Sequence, residues 1–102
     1  MRQYDVYENP SVAARRYAPF LVVLQSHLLE GLDSVILAPL VIDSRKPVSA
    51  IDVIVEFEGE TYVLGVSELA SVLRNVMKRR RGSLGAYSDA ISLAMNRVMV
   101  GF

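Results

Sequence analysis

Alternation of hydrophobic and polar positions predicts β-strands in the first part of the chain. Residues 3–8 alternate with a period of two, which predicts a strand with one wet face. Residues 20–24 form a continuous apolar run, too short for a helix and rich in strand formers, which predicts a largely buried strand. Residues 35–42 repeat this pattern. Residues 51–57 show the clearest alternation, with every odd position apolar, and predict a strand with one buried face.

Glycine and proline mark where these strands turn or bend. Asn9-Pro10-Ser11 ends the first strand, and Glu58-Gly59 predicts a hairpin turn into a further strand over residues 61–64. Pro39 lacks a backbone N–H, so we expect it at a sheet edge or a bulge, in a bent strand.

Two stretches in the last third of the chain predict helix. Ser67 is a good N-cap and Glu68 follows it, which predicts a short helical segment over residues 67–73. The closing helix is expected to be capped by Ser88 and to stop at Gly101 in a left-handed conformation. The apolar residues that share one face of this helix are expected to pack on the sheet: Ile91, Ala94, Met95, Val98 and Phe102.

A second stripe on the closing helix is not needed for this packing. It consists of Ser92, Asn96 and Met99, with Val100 beside it. Exposed apolar residues next to an amide suit a protein-binding surface, because the apolar groups gain from desolvation and the amide fixes the register. A homodimer interface and a foreign target would both use such a surface.

Strands followed by one terminal helix predict a mainly β fold with a C-terminal helix. Mostly antiparallel strands of this kind form a small barrel-like sheet, here in a single domain over residues 1–102. A content of 52% hydrophobic and 22% charged residues excludes a disordered chain. No apolar run approaches the roughly 20 residues of a membrane helix, and cysteine is absent. A cytoplasmic protein is the default expectation.

The sequence offers little for catalysis. His27 is the only histidine, without metal-ligand spacing around it, and is expected to be a surface or packing residue. The acidic residues Asp52, Glu56 and Glu58 are expected to form a solvated strand face rather than an acid–base pair. No phosphate-binding glycine motif and no nucleophile elbow occurs. We therefore expect no enzymatic activity, no cofactor and no metal.

Charge is balanced over the chain but concentrated in one run. Eleven basic residues match eleven acidic ones, so no overall field attracts nucleic acid or anionic lipid. The run follows Arg74 and consists of Lys78, Arg79, Arg80 and Arg81. No aromatic residue is interleaved to stack on bases. The run is either a solvated loop or a site that steers an acidic partner segment.

The order of several short motifs resembles the CcdB family of plasmid-addiction toxins. The motifs span nearly the whole chain: Tyr4-Asp5-Val6-Tyr7, Arg16-Tyr17, Gln25-Ser26 followed by Leu28-Leu29, Ala38-Pro39-Leu40, Gly59-Glu60-Thr61-Tyr62, Glu68-Leu69-Ala70-Ser71-Val72 and Met99-Val100-Gly101-Phe102. Each motif is weak alone, and their order and spacing carry the resemblance.

The resemblance implies a homodimer of the SH3-like barrel type shared with MazF, and no catalytic site. It implies the toxin of a type II toxin–antitoxin system, which binds the A subunit of DNA gyrase, traps the covalent gyrase–DNA intermediate and is neutralised by a CcdA-like antitoxin. The gyrase-binding positions that it implies are Leu28, Leu29, Asn96, Met99, Val100, Gly101 and Phe102. The run of residues 78–81 would then steer the antitoxin.

Two alternative functions stay open. The family's best-known members have an aromatic pair, including a tryptophan, where this chain has Met99-Val100, and aromatic anchors often dominate an interface. One alternative is therefore a CcdB-fold dimer that no longer poisons gyrase. The other is an endoribonuclease like the related MazF toxins, which needs a positioned acid–base pair with arginine support. Only His27 and scattered arginines are available for that chemistry.

Overall fold

The computed structural model describes residues 1–26, 31–42 and 51–100, which form an antiparallel sheet and a C-terminal helix. The strands are β1 (Asp5–Glu8), β2 (Phe20–Val23), β3 (Ser34–Ile42), β4 (Val53–Phe57), β5 (Glu60–Leu64), β6 (Ala70–Leu73) and β7 (Arg80–Ser83). The helix is α1 (Ser88–Val100). Short 3₁₀ turns occupy Ala13–Arg16, Val66–Glu68, Arg74–Val76 and Gly85–Tyr87.

Strand β3 organises the sheet. The strand order is β4-β5-β3-β2-β1-β7, and β6 also pairs with β3. On one side β3 pairs with β2. On its other side it pairs first with β6, through Ser34 to Leu37, and then with β5, through Leu40 to Ile42. The sheet thereby curls into a half-barrel, which with α1 confirms the predicted fold class.

The main core lies between the inner face of the curled sheet and α1. Ile91 is fully buried and Ala94 nearly so, while Met95 and Val98 pack against the same cluster. The predicted packing face of the helix is thus confirmed for these four residues. Phe102 lies outside the described residues. Complete burial of a side chain as large as that of Ile91 stabilises the fold by about 1.5–3 kcal/mol.

The β4–β5 hairpin forms as predicted. Val55 and Phe57 are buried on the inner face. Glu58 and Gly59 both have positive φ values, 51° and 81°, as a two-residue hairpin turn matching the strand twist requires. The hairpin closes with Phe57 opposite Glu60.

The prediction of a helix over residues 67–73 is wrong. A single 3₁₀ turn covers Val66–Glu68, and no side chain caps it. The chain then extends as β6, whose residues Ala70 to Leu73 pair with Leu37 to Ser34 of β3. Pairing with this half of β3 covers an open strand edge, and this tertiary interaction outweighs the local capping signal at Ser67.

The position predicted for Pro39 is also wrong. Pro39 lies opposite Leu21 in a central strand, and the β2–β3 register continues through it without a bulge. Its carbonyl oxygen accepts a 2.8 Å hydrogen bond from the N–H of Gly65, at the point where the partner of β3 changes from β5 to β6. In an antiparallel strand, the N and O of one residue point towards the same neighbouring strand. The N of Pro39 therefore points to the side of β3 where β5 gives way to β6, and neither strand pairs with Pro39 there. The missing N–H thus leaves no ladder hydrogen bond unmade.

Strand β1 lacks the predicted wet face because a second core cluster covers it. Asp5 and Tyr7 are buried, and Tyr7 packs with Val23 and Met77. β7 pairs with β1 and includes residues 80 and 81 of the basic run. This part of the run is therefore a strand and not the solvated loop that was one of the two predictions.

The start of α1 also differs from the prediction. Ser88 has helical angles (φ −53°, ψ −41°) and directly follows the 3₁₀ turn Gly85–Tyr87, so it begins the helix rather than capping it. Over the ranges described, no helix is long and apolar enough to cross a bilayer.

Candidate protein-binding site

The second stripe of α1 is exposed in the structure. Met99 is 74% exposed and Val100 is 70% exposed, and Ser92 and Asn96 are exposed beside them. The opposite side of the helix is held in the core. The structure therefore presents two large apolar side chains and one amide on a rigid element, which is the arrangement that a protein-binding surface needs.

Leu93 extends this surface beyond the predicted stripe. It is 51% exposed and lies seven residues before Val100, so the two share a helix face. That spacing was the signal that could have found it. A groove of about 330 Å³ separates α1 from β4, and Leu93 and Ile54 both line it. Ile54 is 57% exposed on the edge strand. The apolar surface thus continues from the helix onto the sheet.

Part of the predicted gyrase-binding set lies within the described residues. Leu28, Leu29, Gly101 and Phe102 of the implied gyrase-binding set lie outside the described residues, as does His27. Of that set, the structure brings Asn96, Met99 and Val100 together on the last two turns of α1.

Tyr4 packs against the start of α1. Tyr4 has a left-handed backbone (φ 73°), and its N–H donates to the carbonyl oxygen of Val23 at 2.6 Å. Its ring packs in the main core. Burial raises the pKa of the Tyr4 hydroxyl and the Asp89 carboxylate raises it further, while a hydrogen bond with Ser92 partly opposes them. These neighbours place Tyr4 against the first turns of α1.

The predicted solvated acidic face is confirmed for Glu56 and Glu58, whereas Asp52 is half-buried. Glu56 and Glu58 are exposed, and Asp52 Oδ1 accepts hydrogen bonds from the N–H of Ser67 at 3.0 Å and from its hydroxyl at 2.9 Å. Within the described ranges, no group of three or more His, Asp or Glu side chains could hold a metal ion.

Arg80 and Arg81 of the basic run contact acidic residues that are distant in sequence. Arg80 Nη2 lies 3.2 Å from Asp5 Oδ1. Arg81 Nη2 lies 2.9 Å from Glu58 Oε1, and its Nη1 lies 3.5 Å from Glu8 Oε2. The Arg81 guanidinium also sits 5.3 Å from the centre of the Phe20 ring. These two arginines therefore link β7 to β1 and to the turn of the β4–β5 hairpin. Lys78 is exposed, and Arg79, at 76%, is more exposed than Arg80 and Arg81.

Many solved structures have similar folds, including the following two. One is an endoribonuclease in complex with its cognate antitoxin from mycobacterial species, with a TM-score of 0.78, 10% identity, and coverage of 98% of this chain and 95% of that one. The other is the Mycobacterium tuberculosis toxin MazF-mt6, with a TM-score of 0.71, 16% identity, and coverage of 97% of each chain. At such identities the likeness shows the fold alone.

Sequence comparison is more specific. No curated protein sequence matches this chain. The sequence model of the CcdB family, described as CcdB protein, matches residues 3–101. Since this match spans nearly the whole chain and agrees with the half-barrel and terminal helix, the protein belongs to the CcdB family.

Proposed function

We propose that this protein is the toxin of a type II toxin–antitoxin system and acts in the cytoplasm by binding the A subunit of DNA gyrase. Its CcdB family membership supports a toxin, as does its fold, shared with a toxin solved with its antitoxin. The observation that carries the choice of binding over catalysis is the exposed end of α1. Met99 and Val100 are 74% and 70% exposed on a helix whose other face is buried.

The energetics of this surface suit a protein partner. Complete burial of a methionine or valine side chain is worth about 1.5–3 kcal/mol. Asn96 beside them supplies a hydrogen-bonding group that selects the register. Binding to the gyrase–DNA intermediate in preference to resealed DNA would shift the equilibrium towards the broken state, so poisoning needs no chemical step from this chain.

The proposal includes a homodimer and an antitoxin. The antitoxin is a small CcdA-like chain whose disordered region folds on binding, at an entropic cost. The basic run, Lys78 to Arg81, steers this segment, so higher salt weakens the association. An affinity independent of salt would remove the run from the mechanism.

Growth inhibition in cells tests the proposed surface. Met99→Asp combined with Val100→Asp places two charges on the exposed stripe without touching the buried face, and this double variant should lose toxicity while remaining folded. Deletion of residues 100–102 should have the same effect. Val12→Asp is the matched control, because Val12 is 72% exposed outside α1. Unchanged toxicity of the double variant contradicts the proposal.

RNA cleavage is the second candidate function, because the chain shares its fold with an endoribonuclease. Such an enzyme needs a positioned acid and base. Incubation of the purified protein with messenger RNA separates the two functions. Sequence-selective fragments would establish the ribonuclease, and intact RNA is the result expected for a gyrase-binding toxin.

A further inference from the structure

A cleft near β7 brings together parts of the chain that are distant in sequence. β7 is at the other end of the sheet order from β4. The cleft has a volume of about 460 Å³ and lies where the 3₁₀ turn Arg74–Val76 and the approach to β7 meet the end of β1. Three cations line it, Arg15, Lys78 and Arg79, together with one carboxylate, Glu8. Only Lys78 and Arg79 are adjacent in the sequence, and the fold brings Arg15 to them.

The described residues that line the cleft include more cations than carboxylates. Glu8 Oε1 lies 3.0 Å from Arg15 Nη2 and 4.0 Å from Arg79 Nη1, and Glu8 Oε2 lies 3.5 Å from Arg81 Nη1. One carboxylate is thus shared by three guanidinium groups. The Arg79 side chain is 76% exposed, and its 4.0 Å contact leaves most of its five N–H donors available to a ligand. The excess positive charge favours an anionic ligand.

The remaining lining makes the cleft amphipathic. Val76 is 41% exposed and Pro10 is exposed, and both face the cleft beside the cations. Burial of an aliphatic group against them adds affinity that a bare anion cannot gain. None of the described residues that line the cleft is aromatic, so it has no platform on which a nucleobase could stack. A peptide fits this lining better than a nucleic acid.

We propose that this cleft binds a peptide segment in which carboxylates flank one aliphatic side chain. The carboxylates pair with Lys78 and Arg79, and the aliphatic side chain packs on Val76 and Pro10. That the antitoxin carries this segment rests on the proposed function; the ligand chemistry of the cleft does not. The cleft is formed without any residue of α1, so peptide binding and gyrase binding can fail independently.

Amide chemical shifts of the full chain test this site directly. The probe is an acetylated, amidated pentapeptide with one leucine between two pairs of glutamates, and its control has glutamines in their place. We expect the glutamate peptide to shift the amides of Asn75, Val76 and Lys78, and the glutamine peptide to bind about tenfold more weakly. An oligouridine of similar charge is titrated in parallel.

Substitutions locate the binding. Arg79→Glu and Lys78→Glu should each weaken peptide binding about tenfold, and Val76→Ser about fivefold. Lys78→Glu keeps the Glu8–Arg15 and Glu8–Arg79 contacts, so it tests the site even if Arg79→Glu disturbs the fold. Arg16→Glu is the control, because Arg16 is exposed beside Arg15 but does not line the cleft.

Four results would overturn the proposal. They are no saturable shift with the glutamate peptide, equal binding of the glutamine peptide, an equal loss with Arg16→Glu, and tighter binding of oligouridine than of peptide. The last result would assign the cleft to nucleic acid.

Discussion

The backbone N–H of Glu56 donates a 3.0 Å hydrogen bond to the hydroxyl oxygen of Tyr87. Glu56 lies on the edge strand β4, and Tyr87 immediately precedes α1. The bond therefore ties the edge of the sheet to the helix that presents Met99 and Val100. It also occupies an edge-strand donor that could otherwise pair with another strand.

Tyr87→Phe removes the acceptor of this bond. We expect a loss of about 0.5–1.5 kcal/mol in the free energy of unfolding, measured with urea, and faster hydrogen exchange at the Glu56 amide. Tyr17→Phe is the control, because the Tyr17 hydroxyl donates a long, exposed hydrogen bond of 3.4 Å to Glu68. Exchange at Glu56 that is unchanged in Tyr87→Phe would show that the bond does not hold the edge.

Gly82 is needed for close packing against Phe57. A Cβ at position 82 would lie 2.9 Å from Phe57 Cε1 and 3.2 Å from Cζ. The ring cannot move freely, since Phe20 packs edge-on against it with 5.2 Å between ring centres. Gly82→Ala should therefore destabilise the protein by about 1–3 kcal/mol in urea unfolding.

Gly31→Ala provides the matched control, because a Cβ at position 31 meets no atom of the described residues within 4 Å, apart from its chain neighbours. Its free energy of unfolding should stay close to that of the wild type. If the two alanine variants were equally stable, the contact between residue 82 and Phe57 would have no structural importance.

Glu8 neutralises three guanidinium groups, from Arg15 and from Arg79 and Arg81 of the basic run, and its side chain is 17% exposed. Glu8→Gln keeps the side-chain size but removes the charge, so the arginines repel one another. We expect a loss of about 1–3 kcal/mol, which shrinks in 1 M salt because of the short screening length of about 3 Å there. The exposed Glu60→Gln should be nearly neutral. A loss that does not depend on salt would point to packing rather than charge.

Tyr7 should make the fold sensitive to alkali. Burial raises the pKa of its hydroxyl above the ordinary value of 10.0, Asp5 raises it further, and Arg80 and Arg74 partly oppose this. The unfolded chain therefore loses the proton first, so the stabilisation is complete below pH 10 and is lost as pH rises through the folded-state pKa. Tyr7→Phe should flatten the fall in unfolding free energy between pH 9 and pH 11. An equally steep fall in this variant contradicts the assignment to Tyr7.

The elements that the sequence predicted correctly are those whose signals are local. The alternation of Val53, Val55 and Phe57 and the turn at Glu58-Gly59 lie within a few residues of one another and define a complete hairpin. The packing face of α1 is likewise periodic. In contrast, β6 exists because β3 offers it an edge, and no local pattern around Ser67 contains that information.

The candidate sites divide in the same way. The exposure of Met99 and Val100 follows from helix periodicity once Ile91 and Ala94 face the core. The partners of the basic run do not follow from the sequence, because Arg81 and Glu8 are 73 residues apart. Nor does the cleft that joins Arg15 to Lys78 and Arg79, since it depends on the pairing of β7 with β1.

The central claim is that the exposed end of α1 binds the A subunit of DNA gyrase. The most direct measurement is calorimetric titration of this protein into a purified fragment of that gyrase polypeptide, with wild type and Met99→Asp compared. We predict binding with a Kd in the micromolar range or tighter, and a loss of at least about tenfold, or 1.4 kcal/mol, in the variant. The absence of wild-type binding, or equal affinity of the two proteins, would contradict it.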